Sequence, residues 1–403
     1  MHVPVYVATL AAALLGGVPA QAGQAAYQTY YSQWMASSII ARGQGVMTGE
    51  GGSSEALQAG FVQKAFTALS ARYPKSAATY EQYVQKSASS TIPFLSNASQ
   101  DALTYPLDRL SNGNALLALA PAKGASGYRT AANALRDSIT LNRRNDQGGL
   151  WYFVYPYWSY LDGMYSLCPF YTLYTLTTPA ASSQSVAASL NDMLYQFDTL
   201  WQHNRHASTG LLVHGYDASK TAVWADPKTG ASPWVWGRSL GWYTMALVDT
   251  LEILQQEKAN SKYSSPLLQK FQSLMPAVLD AVDAKTGGWW QIVDQGSRAG
   301  NYIESSATAM FSYSLLKGAR LGYLPKSLVS KAQAAGTRAQ KLLTKTFVVH
   351  EADGTLGYNG TVAVCSLNST ATYEYYVGQP LLYNSVLGSA AYVLASIEAE
   401  RLD

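Results

Sequence analysis

Apolar residues recur along much of the chain at helical spacing. Val186, Leu190, Met193, Phe197 and Leu200 step by four, three, four and three, which lays one stripe along a helix and leaves its other faces polar. Leu267, Phe271, Leu274, Val278 and Val282 nearly repeat the pattern, as do Leu328, Ala332, Ala335, Ala339 and Leu342. Between these stretches lie runs that are apolar almost all round: Asp162 to Leu176, Leu240 to Leu251, Ser305 to Leu316 and Pro380 to Leu394. A helix without a polar face must be covered on both sides, so the pattern predicts inner helices alternating with amphipathic outer ones. Strand-like runs are few and short, and the class is all-α.

A repeat lies over this alternation. Gly149-Leu150-Trp151-Tyr152, Gly210-Leu211-Leu212-Val213-His214, Gly287-Gly288-Trp289-Trp290 and Leu356-Gly357-Tyr358 each open a loop that runs on into an apolar helix. The period is roughly 60 to 75 residues, room for one outer helix, one inner helix and their connections. About six such units fit the chain. They predict an (α/α)6 barrel of six helical hairpins with aromatic loops at one end. No Pro/Ser-rich linker or composition shift divides residues 23–403, which read as a single domain.

Composition narrows the function. With 48% hydrophobic and 13% charged residues, the 403-residue chain is too apolar for disorder. A net charge of +3 argues against a nucleic-acid stripe or a polybasic membrane patch. Two cysteines and five histidines without HExxH-type spacing offer no ligand set, so no metal or cofactor is expected. The 29 Tyr and 10 Trp are the unusual feature. Many stand in Gly-containing loops, where they suit stacking on flat polar ligands such as sugars. Residues 1–22 read as a signal peptide, with an apolar run from Val3 to Val18 and Ala20-Gln21-Ala22 as cleavage site, so a secreted, extracellular protein is expected. Asn97, Asn359 and Asn368 head glycosylation sequons. Cys168 and Cys365 either bridge or serve as two buried small hydrophobes.

Chemistry is expected where a loop meets the start of an inner helix, because unpaired amides and the helix dipole favour an anion there. Asp162, in Tyr157-Trp158-Ser159-Tyr160-Leu161-Asp162, is a single carboxylate among aromatic and aliphatic neighbours. It reads either as an N-cap or as a proton donor whose affinity an apolar surround raises. Arg238 lies between Trp236 and Trp242 at the head of an apolar helix, without an obvious helical partner and placed to grip a carboxylate. Trp242, one turn on, is a candidate platform for a sugar ring. His214 is either a ligand or a satisfied loop histidine. Asp108 is a second loop carboxylate, and Tyr302 precedes the inner helix that begins near Ser305. Glu304 and Glu374 read as structural or rim residues.

The segments DGMYSLCPF, GLLVHGYD, WADPKTGASPWVWGRSLGWYTMALVD, GGWWQIVDQGSRAGNYIESSATAMF and TYEYYVGQP resemble the motifs of glycoside hydrolase family 105, the unsaturated rhamnogalacturonyl hydrolases, which are similar to unsaturated glucuronyl hydrolases. The resemblance covers about residues 100–400 and implies an (α/α)6 barrel. It places Asp162 on the general acid/base aspartate and Asp108 on the second carboxylate beside the reacting ring. His214, Arg238 and Trp242 fall on positions that hold the unsaturated uronic acid, and Trp236, Trp158 and Tyr302 join them as expected substrate contacts. Asp162-Gly163-Met164-Tyr165 departs from several relatives in the bulky pair after the aspartate.

The implied substrate is an oligosaccharide ending in a 4,5-unsaturated uronic acid at its non-reducing end, of rhamnogalacturonan or possibly arabinogalactan type. The implied reaction is hydration of the C4=C5 enol ether, with Asp108 keeping Asp162 protonated by like-charge repulsion. A monomer without nucleic-acid or membrane partners is expected. The competing readings are a conventional inverting glycosidase or polysaccharide lyase on the same fold, and a non-catalytic sugar-binding protein.

Overall fold

The computed structural model describes residues 30–402 apart from 53, 122–125 and 180–181; the expected signal peptide lies outside the described residues. Helices α1 (Tyr31–Ala41), α2 (Glu55–Arg72), α3 (Ala77–Thr91) and α4 (Ala98–Thr104) come first. A 3-10 helix over Leu107–Asn112 continues into α5 (Gly113–Leu119), and α6 (Ser126–Leu141) follows. Strand β1 (Trp158–Tyr160), α7 (Asp162–Thr177), α8 (Ser183–Asn204), β2 (Gly215–Asp217), α9 (Gly237–Gln256) and α10 (Ser261–Asp280) form the middle of the chain. Then come α11 (Ser305–Arg320), α12 (Lys326–Thr346), β3 (Val348–His350), β4 (Leu356–Tyr358), α13 (Tyr373–Val377) and α14 (Val386–Ala399).

Contacts between helices follow the predicted alternation. The inner ring runs α2, the 3-10/α5 segment, α7, α9, α11 and α14, and closes from α14 back onto α2. Outside it lie α3, α6, α8, α10, α12 and α1, each against an inner neighbour. This is an (α/α)6 barrel. Burial explains the division: every residue of α11 from Ser305 to Ala319 is buried, whereas α12 buries only Ala332, Gly336, Ala339 and Leu343. Among the described residues, no helix is long and apolar enough to cross a membrane.

One expectation changes, and one choice between two readings is decided. The last inner helix begins at Val386, not Pro380. Residues 380–384 pair instead with the preceding loop: the Ala363 and Leu382 amides donate to the Pro380 and Thr361 carbonyls, and Asn384 then turns with φ 58. Cys168 and Cys365 are free thiols in separate apolar clusters, the first beside Met164 and the second beside Gln291, so the reading as two buried small residues holds.

Connections from an inner to the next outer helix are short, as at 73–76, 257–260 and 321–325, while those from outer to inner are long. Consequently the inner-helix N-termini and the long loops share one end of the barrel. The opposite end is held by an ion cluster. Lys317 lies 2.7 Å from Asp249 Oδ1 and 2.6 Å from Glu252, and Lys64 lies 2.7 Å from Asp249 Oδ2. Burial would raise the Asp249 carboxyl, but the two ammonium groups outweigh it and hold the group at about 2.

Close packing at the loop end leaves some positions no room for a side chain. A Cβ at Gly388, in the first turn of α14, would stand 1.8 Å from Thr361 Oγ1 and 2.9 Å from the Tyr358 ring. Both neighbours are buried, so Gly388→Ala is expected to destabilise the protein by about 1–3 kcal/mol through overpacking. Urea denaturation measures it, and an unchanged midpoint would mean that the Thr361 loop gives way freely.

Candidate active site

Each inner helix from the second to the fifth brings a polar residue to the loop end at its first residues. Asp108 is the second residue of the 3-10 helix, Asp162 the first of α7, Arg238 the second of α9, and Glu304 caps α11. The loops above them are tied by short antiparallel pairing: β1 pairs with β2, Trp158 opposite Asp217 and Tyr160 opposite Gly215. That pairing brings His214 beside the start of α7, where its carbonyl accepts from the Leu161 amide.

Asp162 is not an N-cap; Leu161 holds that place. Its Oδ2 instead accepts from Ser239 Oγ, on the first turn of α9, and lies 3.3 Å from His214 Nε2, outside hydrogen-bond alignment. The side chain keeps 11% exposure. His214 is buried, with Nδ1 2.7 Å from the Tyr376 hydroxyl. Its ring lies 4.7 Å from that of Trp236 and 5.1 Å from that of Tyr160. Clamped this way, the imidazole has little freedom except to face Asp162.

Asp108 is buried as well. Tyr152 donates to its Oδ2 at 2.7 Å, and Oδ1 has no partner. Burial pushes this carboxyl up to about 7; the Tyr152 hydrogen bond pulls the other way, and the neighbouring Asp162 charge raises it further. The like-charge repulsion expected to act on Asp162 is therefore legible on Asp108. The Tyr152 ring stacks on Tyr160 at 4.4 Å and 14°, so a single aromatic pair spans the two carboxyls' surroundings.

Several expected substrate contacts are placed differently. Arg238 is not a free fork. NH1 donates to the Val362 carbonyl at 2.6 Å and NH2 to the Ala363 carbonyl at 2.7 Å, with Glu304 Oε1 3.9 Å away and the Trp236 ring 4.8 Å beneath. Glu304, fully buried, in turn accepts from the Ala307 and Val362 amides and from Ser306. Arg238 thus fastens the 362–363 loop to two inner helices. Trp242 points into the barrel core, between Phe61 at 4.8 Å and Tyr165 at 4.4 Å, and offers no ring face to a sugar. Trp236 is buried under His214, its Nε1 donating to Gln291. Trp158 and Tyr302 remain partly exposed at the loop end. Glu304 is structural and Glu374 an exposed rim residue 3.8 Å from Arg298, as the sequence suggests.

Tyr152, Ser239 and Tyr376 carry the hydrogen bonds of the site and were not singled out in the sequence. Each stands within or beside a segment that was, but a hydroxyl in a run of tyrosines and serines gives no sign of its partner.

A cavity of about 850 Å³ lies at the other end of the barrel, lined by the Lys64–Asp249–Lys317 cluster and the Arg320–Glu398 pair. Its main charges are already matched to one another, and Asp108, Asp162 and His214 do not line it. Asp108, Asp162 and His214 gather instead at the loop end.

Residues 56–403 match the family model described as Glycosyl Hydrolase Family 88. The 24.9 kDa protein in picA locus of Rhizobium radiobacter is 35% identical over 216 residues, 52% of this chain and 90% of that protein. A glycoside hydrolase from family 105 of C. acetobutylicum is 29% identical, with a TM-score of 0.79 over 92% of this chain and 99% of that one. The unsaturated glucuronyl hydrolase of Bacillus sp. GL1 shares the fold at 12% identity, with a TM-score of 0.65 over 94% and 97% of the two chains.

Removing Arg238 tests whether it braces the loop. Arg238→Ala strips a buried and a partly buried carbonyl of their donors and takes the nearby cation from Glu304, so a loss of about 3 kcal/mol in chemical denaturation is expected. A raised KM with unchanged stability would return the guanidinium to the substrate.

Proposed function

The chain belongs to Glycosyl Hydrolase Family 88, and from that premise we propose that it removes a 4,5-unsaturated uronic acid from the non-reducing end of lyase-generated oligosaccharides. The supporting observation is the buried pair of carboxyls, of which Asp108 keeps its proton up to about pH 7. A buried carboxylate is costly, and the neighbouring Asp162 adds to that cost, so Asp108 is held in its protonated form below about pH 7. The family 105 likeness favours rhamnogalacturonan-type ends, with arabinogalactan-type ends as the alternative.

In this reading the C4=C5 bond of the substrate is an enol ether, and its rate-limiting need is a proton at C4. Asp162, with Oδ2 fixed by Ser239 and faced by His214, presents its free edge and delivers that proton. Positive charge then spreads over C5 and the ring oxygen. Water adds at C5 and returns its proton to the carboxyl pair, which is restored. The C5 hemiketal opens to a ketone, leaving a hemiacetal at C1 that releases the leaving sugar as an alcohol and becomes an aldehyde. Asp108 serves as the neighbouring proton store, held by Tyr152. His214, Arg238 and Trp236 are positioning residues, while Trp158 and Tyr302 meet the substrate at the mouth.

The form with Asp108 protonated is the active one, and that carboxyl lies above its ordinary value of 3.8. Activity is therefore kept at low pH and lost as pH rises through about 7. Followed by the fall in ultraviolet absorbance of the conjugated double bond, kcat/KM should drop up to about tenfold per pH unit above that point. A level profile from about pH 6 to about pH 9 would sink the assignment. Asp162→Asn should cost about a thousandfold in kcat with binding largely kept; near-normal turnover would remove it from the mechanism.

Export belongs to the same proposal, supported by the apolar run from Val3 to Val18 and the small residues Ala20 and Ala22 that follow it. N-terminal sequencing of the mature protein should begin at Gly23, after the Ala20-Gln21-Ala22 site. A mature chain that still begins at Met1 would contradict it.

A further inference from the structure

Beyond the mouth of the site a groove of about 550 Å³ runs between the 156–158 corner, the 219–224 loop and residues 368–369. The rings of Trp158 and Trp224 meet edge to face at 5.2 Å, and Val223 stands at the lip, 85% exposed. Three anchors hold the walls in place. Trp224 Nε1 donates to the Leu367 carbonyl at 2.7 Å. Asp217, fully buried, accepts from Ser219 and from the Thr221 and Ala222 amides, which fixes the loop between them. Tyr157 is held at φ 65, a left-handed backbone that a bulky residue seldom adopts, with its carbonyl accepting from Ala218. Such a conformation persists only where its surroundings over-determine it, here through the Ala218 hydrogen bond.

None of the side chains lining the groove is charged. Lys220, between two lining residues, is directed elsewhere: its Cγ would lie 3.5 Å from a Cβ at Gly230, and its charge acts on His203. Hydroxyls, an amide and aromatic faces remain. That surface stacks on the C–H faces of a pyranose and bonds its hydroxyls, but leaves a sulfate or carboxylate without a counter-charge.

The groove is joined to the catalytic carboxyls through aromatic rings. Tyr155 lies 5.4 Å from Trp158 and 6.2 Å from Tyr160. Tyr160 stacks on Tyr152, whose hydroxyl is bonded to Asp108. Trp158 and Tyr160 share a face of β1 and stand about 7 Å apart along the strand, more than one sugar residue.

We propose that this groove is a distal subsite holding an uncharged sugar of the leaving chain, beyond the residue attached directly to the unsaturated uronate. The enzyme then reads an oligosaccharide end rather than a disaccharide alone. This rests on the function proposed above and adds to it the length and charge of the substrate.

The test compares three unsaturated uronyl substrates of matched sequence: a disaccharide, a trisaccharide, and that trisaccharide sulfated on its last sugar. The protein is made in a host that adds no N-glycan, because Asn368 at the groove heads a sequon. The neutral trisaccharide should exceed the disaccharide in kcat/KM by about tenfold, mainly through KM, and sulfation should abolish the gain. Trp158→Ala should bring the trisaccharide-to-disaccharide ratio to about one, and Val223→Arg should restore the sulfated substrate relative to the neutral one. Equal kcat/KM for the disaccharide and the neutral trisaccharide, or for the neutral and sulfated trisaccharides, overturns the proposal. Absence of turnover with all three would strike at the parent function instead. Tryptophan fluorescence titrated with the saturated neutral oligosaccharide then reads the groove directly. Quenching that Trp158→Ala removes supports the subsite, and no quenching refutes it.

Discussion

Six inner helices run the same way through the barrel, so all their unpaired amides gather at one end. That single constraint organises the site. Long loops are needed only at that end, because the returns at the other are a few residues each. Carboxylates placed at helix starts are drawn to the same small volume, where Asp108 and Asp162 come close enough for one to raise the proton affinity of the other. A chemically useful pair thus follows from a packing arrangement, with each acid supplied by a different hairpin.

The two carboxyls differ in burial and in their hydrogen-bond partners. Asp162 has a hydroxyl and an imidazole at one oxygen; Asp108 has one tyrosine hydroxyl and a bare second oxygen. Residues that look like substrate ligands are mostly the frame around this contrast. Arg238 and Glu304 tie α9 and α11 to the 362–363 loop, and Trp236 and Tyr376 hold His214 in place. The aromatic excess likewise divides by depth. Trp242 and Trp289 fill the core, Tyr152 and Tyr160 pack beside the carboxyls, and Trp158 reaches the rim.

Legibility in the sequence depended on how pure each stripe was. The outer helices α8, α10 and α12 follow from their apolar spacing, and α7, α9 and α11 from the absence of a polar face. The early inner helix α2 gave no such signal, because Glu55 and Gln63 are buried in it among apolar residues and hide the period. The start of α14 was misplaced because Pro380, Leu381 and Leu382 extend the apolar run in sequence, whereas their backbone pairs with a loop and both leucine side chains are exposed.

Hydrophobic period and loop repeat by themselves determined the barrel and the end at which its loops gather, since these depend on burial patterns that each segment carries locally; the resemblance to family 105 singled out Asp162 and Asp108. Tertiary structure alone decided which way Arg238 and Trp242 face, that Tyr152, Ser239 and Tyr376 are the partners of Asp108, Asp162 and His214, and that Asp108 is the carboxyl raised by its surroundings. Those outcomes depend on contacts between residues as far apart as 162 positions. Such contacts form only when the ring closes, and no local pattern in the chain encodes them.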